Sequence, residues 1–337
     1  MTSRARVWLL AGLTVVLLGG AIAYAVVAFA DYQTRANAPS QVQTVDSTSA
    51  PSGPRIVFRN TASGAGYGLV AAVPLSDPGA ARSVTAQACD RVYATSAYEM
   101  CLHVDRGVVT TFNATLFDPS GKAVKSWPLA GIPSRTRISP DSKLVAQTSF
   151  ITGSSYGTIG FSTQTTISST AGPDYGNIEN FRFIVDGKPV TASDRNFWGV
   201  TFGSDDNIFY ATGASAGHTW LVRGDLAART LTAIHETAEC PSLSPDGTKV
   251  AYKKNVSTTG TPYWTLAVLD LASGKETVLP ITDNVDDQAL WLDDSTLLYG
   301  LTNPKVVGDS DIWSVAIDGK SAPKLFLAHA WSPSIVR

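Results

Sequence analysis

The sequence predicts an all-β fold, a six-bladed β-propeller closed by pairing of the chain termini and preceded by one amino-terminal apolar helix. Three observations lead to this prediction. A turn-and-strand unit recurs with a period of about 40–48 residues, half of such a unit lies at each end of the repetitive region, and one uncharged apolar run precedes that region. The propeller is therefore expected to cover residues 55–337.

The apolar run, residues 7–30, follows a short positive segment, residues 1–6, that contains Arg4 and Arg6. As a helix it would be roughly 36 Å long, enough to cross a hydrocarbon core of about 30 Å. The positive residues would keep the amino end in the cytoplasm, so that the rest of the chain is exported. Two interpretations stay open: an uncleaved anchor in the cytoplasmic membrane, or a signal peptide cleaved after Ala28-Phe29-Ala30, which would release an exported protein.

The next segment, residues 31–54, consists mostly of Gln, Ser, Thr, Ala and Pro, with few apolar side chains. Such a composition cannot bury enough surface to offset the entropy of ordering. A flexible tether between the helix and the propeller is therefore predicted.

The clearest repeat is Ser244–Tyr252, which reads Ser-Pro-Asp-Gly-Thr-Lys-Val-Ala-Tyr. Pro245 pre-sets φ for the second position of a tight turn, Asp246 tolerates the third, and Gly247 suits the fourth. A β-rich run follows, so the unit predicts strand, tight turn, strand. Further copies, some of them degenerate, are Ser139–Ala146, Gly203–Tyr210, Leu292–Tyr299, Trp331–Ser334 and a poor one near Ser96.

A second kind of turn lies between these units. Asp270–Lys275, with the sequence Asp-Leu-Ala-Ser-Gly-Lys, predicts a hairpin that leads into another strand. Its counterparts are residues 76–79, 118–122, 186–188, 225–229 and 318–320. Six turns of each kind predict six blades of four strands each.

The two chain ends of the repetitive region are complementary. Trp331–Ser334 has the turn but no second strand after it, and Arg55–Arg59 reads as a second strand with no inner strand before it. Pairing the two would complete one blade and remove two exposed sheet edges.

The Ser-Pro-Asp-Gly-x-Lys-Val-Ala-Tyr unit resembles the repeat of TolB-type propellers, the WD40-like or PD40 family, over about residues 55–337. The resemblance implies an exported propeller, and this chain has a tether where TolB-type proteins carry a separate amino-terminal α/β domain. Similar repeats occur in the propellers of prolyl-oligopeptidase-like peptidases and in many other exported proteins. The resemblance therefore implies an architecture and only loosely a function.

Several function classes are disfavoured. Charged residues are 16% of the chain and the net charge is -2, so no basic patch for nucleic acid is expected. Gly153–Gly157 matches the G-x-S-x-G pattern of a nucleophile, but its neighbours predict an inter-strand loop rather than a strand-to-helix elbow. The four histidines lack metal-ligand spacing and the acidic residues 283–294 lack a calcium-loop signature. No catalytic residue, metal or cofactor is predicted.

In an exported protein, Cys89 and Cys101, on the first two predicted strands of one blade, are expected to form a disulfide. Cys240 would then be a free, buried thiol.

Propeller geometry indicates where a binding site would lie. The predicted inner strands begin at residues that should ring the mouth of the central channel and suit a polar or peptide ligand. These residues are Asp90, Arg135, Trp198, Glu239, Asp287 and His329.

The function that these patterns favour is a non-catalytic binding or scaffold module of the bacterial cell envelope, with a protein or peptide partner at the propeller face. The alternative is a channel-mouth enzyme, such as a lyase or a glycosidase-like hydrolase. That enzyme would need paired carboxylates roughly 5–10 Å apart, and Asp287 and Glu239 are the first pair to test.

Overall fold

The computed structural model describes residues 3–151 and 162–337 of the 337-residue chain. Within these residues, one amino-terminal helix is followed by strands arranged in six sheets. The six sheets are the blades of a propeller, so the predicted fold class is confirmed. The Gly153–Gly157 pattern lies outside the described residues.

Helix α1 (Ser3–Asn37) contains the apolar run, and its section Arg4–Thr34 is long and apolar enough to cross a membrane. A membrane anchor and a signal sequence have the same length and composition in this respect, so the helix agrees with both. The helix continues to Asn37, which means that the first part of the predicted tether is helical.

Each blade is built from strands that are consecutive in the chain, apart from the first. The first blade contains β1 (Thr44–Asp46), β2 (Arg55–Asn60), β3 (Leu69–Pro74) and β4 (Arg82–Ala88). The second contains β5 (Arg91–Ala94), β6 (Glu99–Arg106), β7 (Thr110–Phe117) and β8 (Ala123–Pro128). The third contains β9 (Gly131–Ile138), β10 (Leu144–Ile151), β11 (Ser162–Ser169) and β12 (Gly176–Asn177).

The fourth blade begins with the short strands β13 (Arg182–Val185) and β14 (Lys188–Pro189), followed by β15 (Asn196–Phe202), β16 (Ile208–Ser215), β17 (His218–Asp225) and β18 (Thr230–Glu236). The fifth contains β19 (Glu239–Leu243), β20 (Lys249–Asn255), β21 (Trp264–Asp270) and β22 (Glu276–Val278). The sixth contains β23 (Leu290–Asp293), β24 (Thr296–Thr302), β25 (Ser310–Ala316) and β26 (Lys324–Leu327), and β27 (Ala330–Val336) returns to the first blade.

The ring closes through the two ends of the propeller, as the complementary half-units predict. β27 pairs antiparallel with β2, with Arg55 opposite Val336 and Asn60 opposite Ala330. β27 is therefore the inner strand of the first blade. Ser334 also joins this blade to the second, because its hydroxyl accepts a 3.0 Å hydrogen bond from the Ala94 amide.

The segment predicted to be a flexible tether is partly ordered on the propeller. β1 pairs parallel with β4 and adds a fifth strand to the first blade, with Thr44 opposite Arg82. An outer strand has unpaired backbone groups, and a neighbouring stretch of chain satisfies them whatever its composition.

One predicted hairpin belongs to a different sheet. Asp186-Gly187 joins β13 to β14, and β13 pairs parallel with β18 at the outer edge of the fourth blade. The third blade instead turns between its third and fourth strands at residues 170–175. The prediction for residues 186–188 was wrong because turn chemistry specifies a local hairpin but not the sheet that it joins. The number of blades is unaffected.

The Ser-Pro-Asp turns owe their shape to a compact set of hydrogen bonds. The Ser244 hydroxyl donates to the Asp246 carboxylate at 2.5 Å and accepts from the Lys249 amide at 2.9 Å, while the same carboxylate accepts from the Thr248 amide at 2.9 Å. Gly247 closes the turn at φ +72°. The turn at Ser139 repeats these contacts, with Ser142 at φ +63° in place of the glycine.

Two faces of the propeller follow from this topology. The face at which inner strands begin also carries the loops between second and third strands, and we call it the proximal face. The opposite face carries the turns from inner to second strands, and we call it the distal face. The core lies between neighbouring blades, where, for example, Leu266 of the fifth blade packs in one cluster with Trp291 and Tyr299 of the sixth.

Candidate functional site

The central channel is filled near its proximal end by the connector between β22 and β23. We call residues 286–289 of this connector the channel plug. Asp287, Gln288 and Ala289 are all buried. The Gln288 amide donates to the Val200 and Pro241 carbonyls at 3.1 and 2.6 Å, which links the plug to the fourth and fifth blades.

Three arginines from the inner strands of the second and third blades contact the plug. Arg91 lies 3.4 Å from the Asp287 carboxylate. Arg135 donates to the Asp286 carbonyl at 3.1 Å, and Arg137 donates to the Ala289 carbonyl at 3.1 Å. Cationic side chains thus reach across the channel and hold the plug in place.

A second group of charges lies beside the plug. The Lys253 ammonium, 4% exposed, lies 2.5 Å from Asp286 and 3.9 Å from Glu239. Glu239 also accepts a 2.7 Å hydrogen bond from the Trp264 indole, and the Lys253 nitrogen lies 4.2 Å from the centre of that ring.

Burial and neighbouring charges shift these groups. Burial raises the pKa of Glu239, although Lys253 opposes the shift. Burial alone would raise the pKa of Asp286, but the charges of Lys253 and Arg135 outweigh it and lower the pKa. Burial and the nearby Arg135 guanidinium lower the pKa of Arg91 to about 9. In this arrangement carboxylates and cations lie close together, so that each offsets part of the cost of burying the other.

Of the six residues predicted at the channel mouth, Arg135, Glu239 and Asp287 lie in this network. Asp90 instead accepts a 2.8 Å hydrogen bond from the Val104 amide within the second blade. Trp198, 6% exposed, packs with Ala214 and Cys240. His329 lies 2.9 Å from Asp309, at the junction of the first and sixth blades.

The paired-carboxylate alternative gains no support from these contacts. Asp287 accepts a 3.1 Å hydrogen bond from the Gly300 amide in addition to its contact with Arg91. Glu239 is occupied by Trp264 and Lys253. Both carboxylates therefore have structural partners. Among residues 3–151 and 162–337, no three His, Cys, Asp or Glu side chains are grouped so as to hold a metal ion.

The cysteines are arranged as follows. Cys89, which follows β4 and lies two residues before β5, is bonded to Cys101 of β6, with a Cα–Cα distance of 5.4 Å. Cys240 is free and buried, at φ +49° in β19, and its amide donates to the Thr212 hydroxyl at 2.7 Å.

The distal end of the channel is open. A cavity of about 540 Å³, which we call the distal cavity, lies among the ends of the inner strands. Its apolar surface includes Phe202, Leu243 and Trp291, and the Trp291 indole is fixed by a 2.9 Å hydrogen bond to the Ser242 carbonyl. Ser96 and Ser204, both exposed, lie at its rim.

The sequence reasoning missed this cavity and most of the charges in the channel. Arg91, Arg137 and Gln288 lie on or next to inner strands and could have been selected as inward-facing positions of the period-two pattern. Lys253, at the end of the second strand of the best repeat, carries no sequence signal of this kind. The cavity has no motif, because its wall combines turns and strand ends from all six blades.

Comparison with known proteins supports the fold. No family model and no curated protein matches the chain. Among solved structures, TolB from Acinetobacter baumannii is similar, with a TM-score of 0.56 and 15% identity over 85% of this chain and 67% of that one. A structure of a nidogen/laminin complex is also similar, with a TM-score of 0.54 and 10% identity over 84% of this chain and 98% of that one. The chain is thus a β-propeller with a TolB-like fold, and at these identities the likeness extends to the fold alone.

Proposed function

We propose that the protein is a non-catalytic binding propeller of the bacterial cell envelope, attached to the cytoplasmic membrane by α1 and carrying the propeller on the outer side. Its binding site is the distal cavity, and its partner is a protein that inserts an apolar side chain or a short peptide segment there. The observation that carries the proposal is that the channel is closed by the plug and open at the distal end.

The shape and chemistry of the distal cavity support a peptide-like ligand. Its volume of about 540 Å³ is in the range of ligand pockets. Phe202, Leu243 and Trp291 offer apolar contact, while Arg137 and the exposed carboxyl-terminal Arg337 add positive charge. An apolar floor with a polar rim is the usual anatomy of a protein-binding hot spot.

The membrane attachment rests on α1. Its section Arg4–Thr34 is long enough to span a bilayer, and Arg4 and Arg6 at its start favour a cytoplasmic amino terminus. An exported location also agrees with the Cys89–Cys101 disulfide, since such bonds persist in oxidising compartments.

The test is affinity capture from envelope membranes with the tagged full-length chain and two variants that obstruct the distal cavity from its exposed rim, Ser96→Trp and Ser204→Trp. Ala272→Trp, in an exposed turn of the same face that does not line the cavity, is the matched control. We expect recovery of the partner to fall at least tenfold (about 1.4 kcal/mol) for both rim variants and to be unchanged for the control. Recovery that is equal in all three variants would contradict a site in the cavity.

A further inference from the structure

The proximal face exposes valines that the fold does not need. Val108, Val109 and Val307 are 108%, 75% and 78% exposed, more than any other large apolar side chain of the described propeller strands and loops. All three lie in loops between second and third strands, in the second and sixth blades. Val306 in the same loop of the sixth blade and Val256 and Tyr263 in that of the fifth are each more than 40% exposed.

These loops also contain few charged residues, whereas most distal turns contain an aspartate. The loop at residues 256–263 has no charged residue, and neither has the loop at residues 61–68. The two valine pairs are each preceded by one cation. Arg106, which follows Asp105 and lies 3.8 Å from Asp90, comes before Gly107-Val108-Val109, and Lys305 comes before Val306-Val307. A cation next to exposed apolar side chains matches a bilayer surface, where the apolar part enters below the headgroups and the cation remains among the phosphates.

The chain joins the propeller on this same face. Residues 31–37 extend α1 beyond the apolar run by about 10 Å of helix, and the headgroup layer on each side of a bilayer is roughly 5–8 Å thick. Directly after the helix, the Ala38 carbonyl and Ser40 pack against Gly64 in the loop between β2 and β3, so closely that a Cβ on Gly64 would lie 3.0 Å from that carbonyl oxygen. The anchor therefore leaves no room for a long spacer between the proximal face and the lipid.

The exposed valines surround this attachment point. The loop that contacts Ala38 belongs to the first blade, and its Tyr67 hydroxyl donates to the Gly308 carbonyl in the valine loop of the sixth blade. The second and sixth blades flank the first in the ring. The fourth blade, on the far side, has the tight turn Ala216-Gly217 and the polar residues 191–195 before its inner strand instead.

We infer that the proximal face lies on the outer surface of the membrane, with the valine tips at residues 108–109 and 306–307 inserted at the level of the headgroups and the distal cavity pointing away from the lipid. The proposed occupant of this face is an anionic phospholipid bilayer, the same one that α1 spans. The inference rests on the proposed membrane attachment and adds to it the orientation of the propeller relative to the membrane.

The test uses full-length protein in vesicles of phosphatidylcholine with about one third phosphatidylglycerol. Because Cys240 is buried and the other cysteines are bonded to each other, one exposed cysteine at a time can carry a fluorophore. Val108→Cys and Val307→Cys report on the proximal face. Val124→Cys, an exposed valine on the outer strand of the second blade, and Ala272→Cys on the distal face are the controls.

We expect nitroxide-labelled lipids to quench the label at residues 108 and 307 at least threefold more than at residues 124 and 272, and aqueous iodide to show the opposite order. Arg106→Glu together with Lys305→Glu should reduce the lipid quenching, as should vesicles of phosphatidylcholine alone. Equal quenching at all four sites, or self-quenching that rises with protein density and shows a second copy on this face, would overturn the inference. Failure of the protein to float with the vesicles would instead contradict the membrane attachment itself.

Discussion

The two faces of the propeller are built from loops of different chemistry. Most turns of the distal face contain an aspartate whose carboxylate accepts backbone and hydroxyl hydrogen bonds within the turn, as Asp246 and Asp318 do. These bonds lower the pKa of both carboxyls to about 2. On the proximal face, the loops at residues 61–68, 256–263 and 303–309 are seven or eight residues long. Together with the short loop at residues 107–109 they contain few charged residues, and three of these four loops expose valines.

The difference distinguishes turns whose sequence the fold requires from loops whose sequence reflects their surroundings. A tight turn such as residues 244–248 needs particular side chains to stabilise its backbone, so its sequence is dictated by geometry. A longer loop has no such requirement, and its composition instead reflects its surroundings. The two ends of the channel also differ, because a network of charged side chains fills one end and a cavity with mixed polar and apolar walls opens the other.

The largest expected effect comes from replacing Lys253, and Lys143 at the opposite end of the molecule provides the comparison. Lys253 is buried between Asp286 and Glu239, and Lys143 lies 2.7 Å from both Asp141 and Asp206 but is exposed. Lys253→Met leaves the largely buried Glu239 carboxylate without its cation and removes the partner of the exposed Asp286 carboxylate, so it should lower the free energy of unfolding by about 3 kcal/mol. Lys143→Met should lower it by less than about 1 kcal/mol because solvent screens the exposed pair.

Urea unfolding of the full-length protein in detergent, followed by tryptophan fluorescence, measures both effects. Equal losses for the two lysine variants would mean that the channel charges are as well solvated as those on the distal surface, and the plug would then not be a closed element.

Two carboxylates predict a pH dependence. Glu99, near the distal end, is half-buried with only the charge of Arg55 to oppose the loss of solvation, which raises its pKa from 4.5 to about 7. Between these values the folded state keeps a proton that the unfolded state has lost, so stability falls as pH rises from 4.5 to 7. Glu99→Gln should therefore be more stable than the wild type by about 3 kcal/mol at pH 8 and nearly equal to it near pH 4.5.

Unfolding curves of both proteins at these two pH values test this expectation, and Glu239→Gln provides the proximal comparison. Burial also raises the pKa of Glu239, but Lys253 and Trp264 oppose that shift. Its replacement should therefore stabilise the protein at pH 8 less than Glu99→Gln does. A wild type whose stability does not fall between pH 4.5 and 8 relative to Glu99→Gln would contradict the assignment.

The smallest effect concerns two glycines with positive φ. Gly247 lies at φ +72° in a tight distal turn and Gly260 at φ +81° in a long proximal loop, and neither has an atom within 4 Å of an added Cβ. Gly247→Ala should cost about 1 kcal/mol, because the turn cannot change its backbone without breaking its hydrogen bonds. Gly260→Ala should cost less than about 0.5 kcal/mol, because the longer loop can relax.

Thermal unfolding of the two alanine variants resolves this difference. A greater loss for Gly260→Ala would show that the proximal loop is held as rigidly as the turn, and its composition would then be dictated by geometry after all.

Much of the fold could be predicted because it repeats. Ser244–Tyr252 specifies its own turn through contacts between residues two to five positions apart. Counting the copies of this unit along the chain gave the number of blades. The hairpin at residues 186–188 shows the limit of that reasoning, since its turn formed as expected and joined the edge of another blade. The strand at Thr44–Asp46 could not be predicted either, because an open sheet edge recruited it.

The candidate site was predicted less well, for a physical reason. Positions at the start of inner strands could be located by counting, and Arg135, Glu239 and Asp287 do lie in the channel. Which of them would face open space depended on a connector of irregular structure, residues 286–289, that fills the channel. No local pattern encodes that path.

The sequence by itself determined the architecture: the turns, the six blades, the closure of the ring and an apolar helix ahead of it. Each of these depends on neighbours in the chain or on a repeat that can be counted. Only the tertiary structure decided which end of the channel is open and which face carries the anchor. Both depend on side chains from blades far apart in sequence, such as Arg137 and Ala289, whose meeting is a property of the closed ring.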